Sequence, residues 1–287
     1  MVSKIMLVSV IVNIILSIVK VIFGGIFKCS SLIADGVHSF SDLITDFISI
    51  LGSKLSLKPA DSKHPFGHGK IEYVTSIIIS IVIISLGFLL IINSFNKEII
   101  IPSLVVSLVS LATIVSKYIL SNYIYKKGLK LKNNILIASG LESKSDVLSS
   151  MVVFISIILM QLSNYIKIFK YSNLIATIIV ALFIIKTGFN ILKENLSMIL
   201  ESQVTDKEYI ENIRKIILKE SDVLNIRNLY ILINGPYYKL ISNINMNDDI
   251  TLKHAHDIIE KIEQDLKKYD DKIKYIFIHM EPSEYWC

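Results

Sequence analysis

The chain has 287 residues, 52% of them hydrophobic, with a mean hydropathy of +0.58 and a formal net charge of +5. Apolar usage in soluble domains is about 45–50% even with glycine counted, so an ordinary soluble globule is excluded. Much of the positive charge lies in short lysine-rich connections between apolar runs and not along a basic stripe, which excludes a nucleic-acid partner and points to a lipid bilayer.

A membrane-crossing helix needs about 20 mostly apolar residues. In chain order, residues 5–27, 32–53, 74–95, 102–125, 135–162 and 172–192 meet that requirement. The first run exceeds a signal-peptide core and no small-x-small cleavage pattern follows it, so it reads as a retained span. The second carries Asp35, His38, Asp42 and Asp46, with His38 and Asp42 one helical turn apart on one face. The third and sixth are nearly pure aliphatic and are expected to face lipid or a partner subunit. The fifth holds Glu142 and Asp146 at the same i, i+4 spacing. Ionisable groups are costly in a bilayer, so these two pairs should face inward and mark an ion pathway. One histidine with three carboxylates is a ligand set for a divalent transition metal. Asn13, Lys20 and Lys117 also interrupt apolar stretches, and their plainer reading is snorkelling or interhelical hydrogen bonding.

Loop charge sets the orientation. The connection 54–72 carries Lys54, Lys58, Lys63 and Lys70, and the one after the fourth run carries Lys126, Lys127, Lys130 and Lys132. The remaining turns hold only Lys28, Lys97, and Lys167 with Lys170. The positive-inside bias places both lysine-rich loops, and with six spans both termini, in the cytoplasm. Cys29 and Cys287 have no CxxC spacing and imply neither a disulfide framework nor a thiolate metal site.

Beyond residue 200 the apolar character gives way to alternating charge, dividing the chain into a membrane domain, 1–200, and a soluble tail, 201–287. Asp206 opens an amphipathic helix with Tyr209, Ile210, Ile213, Ile216, Ile217 and Leu218 at helical spacing. Strands are expected over 229–233 and 240–246, joined at Asn234-Gly235-Pro236, then a helix over 252–266 and a strand over 275–279. The fold class is thus an all-α six-helix membrane bundle followed by a small α+β domain of αββαβ order.

Three segments carry a family resemblance over nearly the whole chain: Ala34-Asp-Gly-Val-His-Ser-Phe-Ser-Asp42, the loop from Lys58 through Asp61, His64 and His68 to Glu72, and Ser143-Lys-Ser-Asp-Val-Leu-Ser-Ser150. In this order, on these spans and ahead of such a tail, they resemble the cation diffusion facilitators, homodimeric exporters of divalent metals. The resemblance implies a tetrahedral transport site of His38 and Asp42 from the second span with Glu142 and Asp146 from the fifth. It also implies a loop site of Asp61, His64 and His68, and a metallochaperone-like dimerisation tail in which His256, His279 and Glu281 match ligand positions. Arg227 and Asn243 stand where metal-binding relatives carry histidine, so a full two-metal tail cluster is not expected.

Each cluster has a second reading. Glu142, where zinc-transporting relatives commonly have His or Asp, either ligates or pairs with Lys144 or a loop lysine at a helix end. As a ligand it makes the set one nitrogen and three oxygens, which strengthens the case for manganese or ferrous iron beside zinc. His68 either ligates or hydrogen-bonds backbone at the foot of the third span. The resulting expectation is a metal/proton antiporter of the cytoplasmic membrane, because ligands must lose protons to bind metal. The metal is substrate and no cofactor is implied. Two rivals remain at this point. A metal-dependent membrane enzyme would call for a motif such as HExxH, which the chain lacks, and a cation channel would call for a ring of filter ligands.

Overall fold

Each apolar run is a helix, because a backbone in hydrocarbon must satisfy its own polar groups. These are α1 (Val2–Ile26), α2 (Ser30–Ser56), α3 (Ile71–Phe95), α4 (Leu104–Leu131), α5 (Asn134–Gln161) and α6 (Ser172–Ile199). They come from a computed structural model that describes residues 2–95, 100–131 and 134–283. The side chain of Asp46, and Lys97, Lys132 and Cys287 altogether, lie outside the described residues. With 25 to 28 residues at about 1.5 Å rise, every helix exceeds the roughly 30 Å hydrocarbon core. Among the described residues five are both long and apolar enough to cross a membrane. The other helix, α2, has the length but carries Asp35, His38 and Asp42.

The chain packs as two compact units, Met1–Phe47 with Ile78–Ile191, and Ile48–Ile77 with Leu192–Cys287. The division therefore differs from a single cut near residue 200, since the histidine-bearing loop groups with the tail.

In the first unit α4 and α5 form an antiparallel hairpin in which Gly128 meets Ile137 and Gly140 meets Tyr125. A Cβ at Gly140 would lie 2.7 Å from the Tyr125 amide nitrogen, so only glycine allows this approach. The same pairing brings Lys117 opposite Asp146. α3 and α6 pack through Ile185 on Gly87 and Ile84 on Gly188, while Ile81, Phe88, Leu89, Leu182 and Phe183 stay exposed for an apolar surround.

Lys20 and Asp35, each 1% exposed, form an ion pair of 2.8 Å between α1 and α2. Ser150 of α5 donates to Asp35 Oδ1 at 2.9 Å, and Lys20 Nζ donates to Ser150 Oγ at 2.9 Å. Of the two plainer readings of Lys20 this network is the interhelical one and not snorkelling, because the ammonium has a carboxylate in reach and no need of the interface. Asp35→Ala strands a buried ammonium and is expected to cost about 3–5 kcal/mol, whereas an apolar pair, Lys20→Met with Asp35→Leu, should recover most of it. Thermal unfolding in detergent measures both.

The second unit has the expected αββαβ order, with α7 (Lys207–Ile217), β1 (Val223–Asn234), β2 (Tyr237–Met246), α8 (Leu252–Tyr269) and β3 (Ile273–Pro282). β1 and β2 pair antiparallel and β2 and β3 parallel, with α8 as the crossover. Asp206 caps α7 by accepting from the amides of Glu208 and Tyr209, and Thr251 caps α8 through the His254 amide. The apolar faces Ile213 and Ile217 of α7 and Ala255, Ile258, Ile262 and Leu266 of α8 close on Ile226, Ile231, Leu240 and Ile244 of the sheet. β1 starts six residues before the expected strand, since register shifts at Val223/Asn225 and Ile226/Asn228 break the alternation that would reveal it.

The loop before α3 fastens onto this domain. Asn234 Nδ2 donates to Phe66 O at 3.2 Å, the Gly235 backbone amide donates to the Tyr73 hydroxyl at 2.6 Å, and the Phe66 ring meets Tyr275 and Phe277 edge-on. Gly235, at φ +62°, presses on Gly69, where a side chain on either residue would collide with backbone. Glu201 accepts from Lys70 at 3.2 Å and Lys239 at 3.1 Å, which holds its carboxyl below the usual range, the Lys239 bond being the larger cause.

Candidate metal transport site

His38 and Asp42 lie one turn apart on α2, with His38 Nδ1 3.9 Å from Asp42 Oδ2. Asp146 of α5 faces them, so that a ring nitrogen of His38 and one carboxylate oxygen from each aspartate lie within 4.8 Å of one another. His38 is 8% exposed, so this is an interior cluster. Asp42, Glu142 and Asp146 together line a cavity of about 60 Å³, room for a metal ion with a few waters. Glu142 is on the cavity wall, one turn from Asp146, but outside the tight trio, and it is exposed. Lys144, its alternative partner, lies over the Tyr125 ring at 4.0 Å.

Two lining residues had only bland readings in the sequence. Asn13 of α1 reaches the cavity with a buried Oδ1 that lacks a hydrogen-bond partner. Lys117 of α4 is 3% exposed, and its Nζ lies 2.9 Å from Asp146 Oδ2. Their only signal in sequence was the isolated polar residue in an apolar helix.

The loop cluster closes as well. Asp61 Oδ1 lies 3.1 Å from His64 Nδ1 and Asp61 Oδ2 lies 3.4 Å from His68 Nε2, with the two rings 4.4 Å apart. Amides of Lys63 and His64 donate to Asp61 Oδ1, and the His64 amide bond is the first cause of a carboxyl held below its usual value. His68 Nδ1 lies 3.2 Å from Pro59 O. The two readings of His68 are therefore compatible. A backbone hydrogen bond at Nδ1 fixes the ring and leaves Nε2 facing Asp61, which is how ligating histidines are commonly held.

Residues 6–200 match the family model described as the cation efflux transmembrane domain, and residues 205–283 that of the cation efflux protein cytoplasmic domain. The chain is a cation diffusion facilitator. Manganese efflux system protein MneP of Bacillus subtilis is 30% identical over 284 residues, covering 97% of this chain and 95% of that one. An uncharacterised transporter of Methanocaldococcus jannaschii is 31% identical over 286 residues, 98% of both chains. A cadmium, cobalt and zinc/H(+)-K(+) antiporter of Bacillus velezensis is 25% identical over 289 residues, 98% of this chain and 89% of that one. This facilitator is accordingly a multi-pass membrane protein for the efflux of divalent metal cations, a transporter and not an enzyme, with metal as its substrate.

In the tail of the facilitator the three expected residues are not gathered within one protomer. Glu281 accepts from Arg227 Nη1 at 2.8 Å and from Asn243 Nδ2 at 3.2 Å, with His279 Nε2 4.0 Å from its Oε1. His256 is 67% exposed beside Glu260 on its own helix, and among the described residues the three form no ligand group. His254 is exposed, with its Nε2 3.2 Å from Asp222 Oδ2. The Arg227 guanidinium, first, and the Asn243 amide hold the Glu281 carboxyl below its ordinary 4.5. A depressed carboxyl gives stability that is present above pH 4.5 and lost as pH falls through the lower folded value. Arg227→Met should therefore lower the unfolding temperature at neutral pH and converge on the native protein as pH falls below the lowered folded value of Glu281, read by thermal scans across pH.

Proposed function

We propose that this cation diffusion facilitator exports manganese(II) in exchange for protons, as a homodimer in the cell membrane with both termini in the cytoplasm. His38, Asp42, Asp146 and Glu142 hold the ion. The observation that carries this reading is the donor set: three carboxylates and the unpartnered Asn13 oxygen line one cavity, and a single imidazole, that of His38, lies within 4.8 Å of two of those carboxylates. Hard oxygen donors suit manganese, whereas soft or nitrogen-rich sets draw zinc and copper more strongly. The likeness to a relative named for manganese efflux supports the same choice. Zinc is the second reading, because it also accepts mixed nitrogen and oxygen ligands and one relative is named for cadmium, cobalt and zinc.

Metal arriving from the cytoplasm takes groups that otherwise hold protons, so each loading event releases protons and each release to the far side recaptures them. The word H(+) in the name of that antiporter relative supports a proton-coupled cycle. The lysine-rich loops support the orientation, and the match to the cytoplasmic domain family supports a dimer joined through the tail. Asp61, His64 and His68 form a second metal site in the cytoplasmic loop, while the Arg227 pairing leaves His256, His279 and Glu281 with at most one weak site.

Uptake into proteoliposomes with manganese, iron, cobalt and zinc in competition, under an imposed pH gradient, tests this reading. Manganese should be the preferred cation, with flux that saturates and collapses with the gradient. Preference for zinc, or flux indifferent to the gradient, would contradict it.

A further inference from the structure

Among its described residues the membrane unit buries two lysines, Lys20 and Lys117, and their partners set them apart. Lys20 is matched by Asp35, which does not line the cavity. Lys117 does line it, and its ammonium sits 2.9 Å from Asp146, a residue of the tight trio. At 3% exposure Lys117 does not snorkel to an interface. Burying an ammonium is costly unless paired, so its place against this carboxylate is held by charge.

We propose that Lys117 is the tethered counter-cation of the transport site: it occupies Asp146 before the metal arrives, gives way to it, and keeps the affinity for divalent cations low enough for release. The proposal rests on the reading of Asp146 as a metal ligand. Once their protons have left, Asp42, Glu142 and Asp146 give the cavity three negative charges and Lys117 one positive charge, leaving two for a divalent ion to cancel. The flexible four-carbon stem lets the ammonium retreat from Asp146 while staying near the cavity. From there it repels the bound metal, because charges in a poorly screened interior interact strongly. Without it, three carboxylates would hold the ion more tightly than a carrier can use.

The test is manganese flux and equilibrium manganese binding for Lys117→Met, a side chain of similar length without charge. KM and Kd are expected to fall by about tenfold or more, equal to about 1.4 kcal/mol, while kcat drops because release slows. Lys117→Arg, which keeps the positive charge, should hold KM and kcat near the native values. A purely structural lysine predicts something else, a fall in kcat with KM unchanged or raised in Lys117→Met, and that result overturns the proposal. If Lys117→Met does not fold, Lys117→Gln, a polar side chain without charge, decides: a fall in KM and Kd supports the proposal and an unchanged or raised KM overturns it. Asp146→Ala, measured beside them, separates the two claims. Native flux in that variant sinks the transport site itself, whereas loss of flux there with an unmoved KM in Lys117→Met sinks only the role of Lys117.

Discussion

Asp42→Ala and Asp146→Ala are each expected to reduce metal flux to background while the protein remains inserted and dimeric. Each removes a charged donor from a set whose ligand atoms lie within 4.8 Å of one another. The two variants differ in what they leave behind. Asp146→Ala also strips Lys117 of its partner at 2.9 Å, so a loss of stability is expected in addition. Asp42→Ala leaves that pair in place and isolates the effect of the ligand. Flux in proteoliposomes at matched protein, with size-exclusion profiles as the control for folding, gives both results. Native flux in Asp42→Ala would remove α2 from the site.

Selectivity should follow Glu142. Glu142→His changes the donors from one nitrogen and three oxygens to two of each and lowers the negative charge of the cavity by one. Zinc binds imidazole well, so the zinc-to-manganese flux ratio is expected to rise, by about tenfold if the substitution is worth about 1.4 kcal/mol. Glu142→Ala should weaken both metals instead. Glu142 lies on the cavity wall but outside the tight trio, so its ligation requires the carboxylate to swing inward as the ion binds. An unchanged ratio in the histidine variant would assign Glu142 to the helix surface.

The sequence shows most plainly what repeats. Six apolar runs became six helices, and the i, i+4 spacing of His38 with Asp42 put both on one face of α2. The tail order was legible because its strands and helices change period at clear turns. Lys20 and Lys117 were not legible, since a lysine within an apolar run reads the same whether it reaches an interface or a carboxylate on another helix. The structure separates these cases through Asp35 and Asp146, partners 15 and 29 residues away in sequence. The bulged start of β1 was hidden for a local reason, because each register shift reverses the side-chain alternation on which strand recognition depends. In the loop, Pro59, Pro65, Gly67 and Gly69 announced irregular backbone, but the meeting of His64 and His68 on Asp61 depends on turns such as that at Gly67, φ +73°, which composition does not specify.

Where the transported ion sits is best measured by anomalous scattering from manganese in crystals of the full-length protein. The donor set predicts a peak in the cavity between α2 and α5, within coordination distance of His38, Asp42 and Asp146, with Glu142 drawn in as a further ligand. Lys117 should have withdrawn from the Asp146 oxygen that meets the metal. Manganese found only at Asp61, His64 and His68, with the cavity empty in a protein that still transports manganese, would contradict the assignment.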